Sequence, residues 1–67
     1  MYDEILAKNL KQARINNNMS EYYVASKLHL DTKLITQFEN GSRKPFPDVV
    51  KKLASLYNCS INYLFGF

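Results

Sequence analysis

Thr32, Lys33, Thr36, Gln37 and Asn40 are the residues whose types and spacing suit recognition chemistry. They fall at i, i+1, i+4, i+5 and i+8, which is one side of an α-helix. The hydroxyls and amides among them both donate and accept hydrogen bonds, and Lys33 alone carries charge. A face meant only for water usually carries Glu and Lys in i,i+4 pairs, and this one does not. Taken on this helix alone, a plain solvated face is the competing reading. Ile35 and Phe38, three apart, point the other way, with Leu34 at the border. Asp31 supplies a side-chain acceptor and a negative charge at the start of the stretch, and Gly41 a left-handed residue at its end. The spacing therefore predicts one short helix over about residues 31–40, apolar on one side and rich in hydrogen-bonding groups on the other.

That helix has to be held by the elements around it. Ser20 is a natural N-cap for a helix over about residues 20–28, although Tyr23 stands where a capping box needs Glu or Gln. Val24, Ala25 and Leu28 form its buried stripe, and the small Ala25 allows a close helix crossing. His29 and Leu30 lead to Asp31, so a turn of roughly three residues joins the two helices at a steep angle, the helix-turn-helix unit. Upstream, Met1 to about Asn17 has helical spacing, with Ile5, Leu6, Leu10, Ala13 and Ile15 approximating one apolar stripe. Asp3 and Glu4 suit its first turn; Lys8, Lys11 and Arg14 come later, as the dipole prefers. Asn16, Asn17 and Asn18 break the pattern.

Downstream, Ser42-Arg43-Lys44-Pro45-Phe46-Pro47 reads as an extended, exposed loop whose cations lie directly beyond the polar helix. Pro47 opens a fourth helix over about residues 47–57, with Val49, Val50, Leu53, Ala54 and Leu56 or Tyr57 inward. Asn58 ends it. Ser60 caps a last short helix, Ile61 to Phe65, closed by Gly66. The expected fold class is all-α, a compact five-helix helix-turn-helix arrangement, with residues 1–67 as a single domain.

Composition sets the outer limits. The chain has 67 residues, is 46% hydrophobic, and carries a formal charge of +3 with a pI near 9.1. Simple disorder is excluded, and an anionic partner is permitted without being required. No apolar run approaches bilayer-spanning length, and the N-terminus has no signal-peptide pattern. Cys59 is the one cysteine, which rules out an internal disulfide and fits a reducing interior; it reads as a core residue, since no base is spaced to activate it. Paired carboxylates, a Gly-rich phosphate loop and a catalytic triad are all missing, so no enzyme is expected. One histidine without clustered partners makes no metal site, and no cofactor is implied.

At residues 6–66 the chain resembles the phage repressor/Cro type of helix-turn-helix domain, the XRE family. The resemblance rests on Met19-Ser20, Val24-Ala25, Leu28, Leu30, Ile35, Phe38-Glu39-Asn40-Gly41, Pro45, Leu53, Leu56 and Ser60-Ile61-Asn62-Tyr63-Leu64. It implies a recognition helix in the major groove, with Thr32, Lys33, Thr36 and Gln37 at base edges. Their chemistry agrees: Gln suits adenine, Lys suits guanine, and Thr offers a hydroxyl and a methyl. Phosphate contacts are implied for Ser20 and the amides that follow it, and for Asn40, Arg43 and Lys44. Arg14 and Glu39 match a salt bridge between the first and third helices. Three departures stand out. His29 occupies a turn position that often holds Gly. Glu21 stands where Gln often meets a phosphate, which a carboxylate would repel. Tyr22 and Tyr23 are unusual on a partly exposed face.

The expected function is sequence-specific double-stranded DNA binding by a transcriptional regulator, a Cro-like repressor encoded by a bacterium or phage and resident in the cytoplasm. The competing class is a protein-interaction module, an antitoxin or antirepressor using the same fold. The chain's length favours the minimal regulator. A two-fold homodimer on a palindromic operator is expected, since one recognition helix reads few base pairs. Phe46, Pro47, Ile61 and Tyr63 supply the apolar surface for it, with Phe67 able to add to it. The small area suggests weak pairing without DNA.

Overall fold

The structure is a computed structural model that describes residues 2–67, with side chains from Glu4 onward. Among the described residues the chain forms five helices: α1 (Tyr2–Asn16), α2 (Glu21–Leu28), α3 (Thr32–Asn40), α4 (Pro47–Tyr57) and α5 (Ile61–Phe65). The first-turn role expected of the Asp3 side chain lies outside the described residues.

From α2 onward each boundary has a local cause. The Tyr23 amide donates to Ser20 Oγ at 2.9 Å, the Lys33 amide to Asp31 Oδ1 at 2.9 Å, and the Tyr63 amide to Ser60 Oγ at 3.0 Å. Each bond satisfies one of the amides that a helix start leaves without an internal partner. The four helices from α2 onward end on a left-handed residue: His29, Gly41, Asn58 and Gly66. His29 adopts φ 57° and turns its amide back to the carbonyls of Ala25 and Ser26. An L residue pays a strain cost there that glycine avoids. Pro47 opens α4, where its missing N–H costs nothing.

α1 is the central strut and packs against α3, α4 and α5, while α2 packs on α3. The shared core joins Leu6, Leu10 and Ala13 to Val24, Ala25, Ile35, Phe38, Val50, Leu53, Ala54, Tyr57 and Leu64. Cys59, half-buried, lies against this core, and burial pushes its thiol pKa up, away from reactivity.

The stripe expected on α1 needs correction. Ile5 and Ile15 are 43% and 48% exposed, whereas Ala7 is buried beside Leu6, Leu10 and Ala13. Arg14 turns inward toward α3, and Ile15, one step of about 100° further round, is carried out to solvent. Ile5 instead lies along α5: a Cβ placed on Gly66 would come within 2.8 Å of its Cγ2.

Two asparagines of the N-terminal region join distant segments. Asn9 Nδ2 donates to the carbonyls of Tyr63 (2.9 Å) and Leu64 (3.3 Å) in α5. Asn17 Nδ2 donates to the carbonyls of Ala13 (2.7 Å) and Tyr57 (3.0 Å), at the ends of α1 and α4. Helix ends leave such carbonyls unpaired, and each bond adds about 1 kcal/mol.

Candidate nucleic-acid interface

α3 is held from beneath and from one side. Ile35 and Phe38 bury into the core at 1% and 5% exposure. Arg14 Nε donates to Glu39 Oε2 at 2.8 Å and Nη2 to Oε1 at 3.1 Å, a two-pronged bond between α1 and α3. The guanidinium's Nη1 also donates to the Met19 carbonyl at 2.9 Å, so one side chain orients α1, α3 and the approach to α2. Burial pushes the Glu39 carboxyl pKa up, against the pull of Arg14, and the Glu21 carboxylate adds to the rise. The hydrogen bond to Glu39 raises the Arg14 pKa, so its charge is secure.

The opposite face of α3 is open. Lys33, Thr36 and Asn40 are exposed, and Thr32 and Gln37 are half-buried. Two side chains from outside α3 reach onto this face, and sequence reasoning missed both. Thr36 Oγ1 donates to Glu21 Oε1 at 2.8 Å, with the Thr32 carbonyl a more distant acceptor at 3.3 Å. Arg43 Nε donates to Gln37 Oε1 at 3.2 Å. The second link is favoured by the turn after Gly41, which folds the Ser42 and Arg43 amides back to the Gln37 carbonyl. With one lone pair of its side-chain oxygen engaged by Arg43, Gln37 keeps the second lone pair and its NH2 protons for a further partner.

Ser20, Asn40, Arg43 and Lys44 are all exposed near the ends of α2 and α3. Ser20 Oγ accepts from a helix amide, which leaves its hydroxyl proton to donate outward. Asn40 Oδ1 accepts from the Ser42 amide at 2.9 Å, which leaves its NH2 group to donate. On α2, Tyr22 is 73% exposed, and Lys27 Nζ sits 5.8 Å from the Tyr23 ring centre.

The expected dimer residues divide. Phe46, Pro47 and Ile61 share an open apolar groove of about 550 Å³ with Pro45, Val50 and Phe65, edged by Lys44 and Lys51. Tyr63 lies elsewhere, beside Asn17, Tyr57 and Cys59. Phe46 is 76% exposed and Phe67 88%, against 38% for Ile61 and 40% for Tyr63. Among the described residues there is no group of three His, Cys, Asp or Glu placed to hold a metal ion. No helix of the described residues is long and apolar enough to cross a membrane.

Residues 7–66 match the family described as helix-turn-helix domain. The chain is also 36% identical over 61 residues to the HTH-type transcriptional regulator ImmR of Bacillus subtilis (strain 168), a stretch covering 91% of this chain and 48% of that protein. The chain thus spans about half the length of that relative. Capped helices on both sides of a three-residue turn, an ion pair locking the second of them to α1, and a match over nearly the whole sequence agree: the chain belongs to the XRE-type helix-turn-helix domain family.

Proposed function

We propose that residues 1–67 act as one domain that binds double-stranded DNA sequence-specifically as a transcriptional regulator, a Cro-like repressor working in the cytoplasm. The observation that carries the reading is the outward row of α3. A helix fixed by the Arg14–Glu39 bond presents Thr32, Lys33, Thr36 and Gln37, and a cationic loop follows at its C-terminal end. In the major groove these four would meet base edges. Ser20, Asn40, Arg43 and Lys44 would meet phosphates and set the register. The relative's name, a transcriptional regulator, supports the same reading.

The proposal includes a two-fold homodimer on a palindromic operator, paired through Phe46, Pro47 and Ile61, with Tyr63 outside that groove. One module of this size buries only about 600–1,000 Å² on DNA, so two half-sites are needed for a useful specificity ratio. The groove is small, so pairing in free solution is weak and DNA completes it.

A gel-shift series on DNA flanking the chain's own gene tests the roles. Gln37→Ala should cost about 1–3 kcal/mol on the cognate site and little on random duplex. Arg43→Ala should weaken both and reduce the salt dependence. Equal loss on cognate and random DNA for Gln37→Ala refutes the assignment. A half-site bound as tightly as the palindrome, unchanged by Ile61→Asp, refutes the dimer.

A further inference from the structure

Two charged side chains from outside α3 reach onto its neutral reading groups, and together they decide which way those groups point their protons. This inference rests on the reading of α3 as the base-facing helix and goes on to its sequence preference.

A threonine hydroxyl has one proton and two lone pairs. Thr36 Oγ1 lies 2.8 Å from Glu21 Oε1 and 3.3 Å from the Thr32 carbonyl. An ionised carboxylate and a carbonyl both lack a proton to give, so Thr36 is the donor in either contact. The nearer, charged acceptor holds the proton more strongly. What Thr36 can offer to a base is a lone pair and its methyl group.

Gln37 is set the opposite way. Arginine only donates, so the atom 3.2 Å from Arg43 Nε has to be the amide oxygen. That bond orients the Gln37 amide and leaves its NH2, a donor, together with the oxygen's second lone pair.

We infer that Glu21 fixes the hydrogen-bond polarity of the α3 face at Thr36, making that hydroxyl an acceptor toward a base, while Arg43 orients the Gln37 amide without limiting it to one role. In the major groove, adenine N6 and cytosine N4 donate, while guanine O6, thymine O4 and the N7 of either purine accept. Thr36 therefore selects an amino base, adenine or cytosine, whereas the Gln37 NH2 can donate to guanine O6, thymine O4 or the N7 of either purine and selects no single class. Glu21 is a specificity-determining residue that acts through Thr36. The carboxylate that disfavours a phosphate contact at this place instead directs a proton.

Selection of bound sequences from a random duplex library tests this with the wild type and variants. Thr36→Val, which keeps the shape and loses the hydroxyl, identifies the base pair that Thr36 reads. There the wild type should prefer adenine or cytosine by about fivefold, the worth of one neutral hydrogen bond. Thr36→Ser should keep that preference. Glu21→Ala leaves only the 3.3 Å contact to hold the proton, so guanine and thymine should become acceptable at the same base pair. Its affinity for random duplex should hold or rise, because a carboxylate leaves the phosphate field. Arg43→Ala should weaken binding to all sequences alike and leave the Thr36 preference in place. Thermal melts of each variant establish that it is folded. A wild-type preference for guanine or thymine at the Thr36 position, or a Glu21→Ala motif identical to the wild type, overturns the inference. Should the wild type enrich no sequence at all, the DNA-reading proposal itself fails and this inference falls with it.

Discussion

Replacing Arg14 with methionine removes a charge while keeping an apolar stem in place. The cost follows from what is left behind. Glu39 is 4% exposed in the pair and Arg14 13%. Without the guanidinium, the Glu39 carboxylate either stays ionised and unpartnered or takes up a proton, and the proton route sets the ceiling. From an ordinary value of 4.5 to pH 7 is 2.5 units, which at ~1.36 kcal/mol each comes to about 3.4 kcal/mol. The Met19 carbonyl also loses its donor, worth about 1 kcal/mol. The variant should thus lose about 4 kcal/mol at pH 7, a large part of the roughly 3–10 kcal/mol that holds a domain of this size. At pH 5 the proton costs only about 0.7 kcal/mol, and the loss should shrink to about 2 kcal/mol. The wild type's own gain on acidification is smaller, because Arg14 opposes the rise in the Glu39 pKa. Glu39→Met is gentler: Arg14 keeps its bond to Met19 and reaches water. The double methionine variant should recover much of the larger loss, since apolar replacement of a buried pair is often neutral. Urea denaturation at both pH values, followed by circular dichroism, measures all four proteins. Additive losses that do not change between pH 7 and pH 5 would refute the reasoning and mark two independent charges.

Two further outcomes are expected. Burial raises the Tyr57 pKa well above its ordinary 10.0. The folded state therefore keeps a proton that the unfolded chain releases, and stability present below pH 10 is lost as pH rises toward the folded value. Tyr57→Phe should flatten that alkaline decline, as seen by comparing melts at neutral and alkaline pH; parallel declines would exclude Tyr57 as the cause. Gly66→Ala meets both a φ of +85° and Ile5 Cγ2 at 2.8 Å, and should cost about 1–3 kcal/mol. Adding Ile5→Ala should restore only the steric part, and full restoration would show that the backbone carries no strain.

The helices were legible because the chain carries its own punctuation. Ser20, Asp31 and Ser60 mark starts; Gly41, Asn58 and Gly66 mark ends; Pro47 opens α4. Those signals act within a few residues and need no tertiary knowledge. The α1 stripe was misread because the small Ala7 carries little signal beside the larger Ile5 and Ile15: Ala7 is buried, and the two isoleucines are not. The links from Asn9 and Asn17 span 40 to 55 residues, and spacing cannot suggest a bond across that distance. For the candidate interface, helical periodicity placed Thr32, Lys33, Thr36 and Gln37 on one face, but not the partners those groups hold. Glu21 meets Thr36 only once the turn at His29 has set the angle between α2 and α3.

α5 has five residues, far too few to hold helical structure alone in water. It exists because Leu64 is fully buried, Asn9 holds its carbonyls, and Ser60 and Gly66 close its ends. The surface that Ile61 and Tyr63 present is thus borrowed from α1, and it dissolves whenever α5 lets go. Such a segment opens more cheaply than the whole molecule, and its amides should exchange with solvent water ahead of those in α1. Subunits pairing as proposed, through Ile61 of α5, would meet through an element each must first keep folded. In the proposed dimer, part of the free energy of association would be the free energy of holding α5 in place, so warming or a weakened α1 would loosen the pair before it unfolded either half.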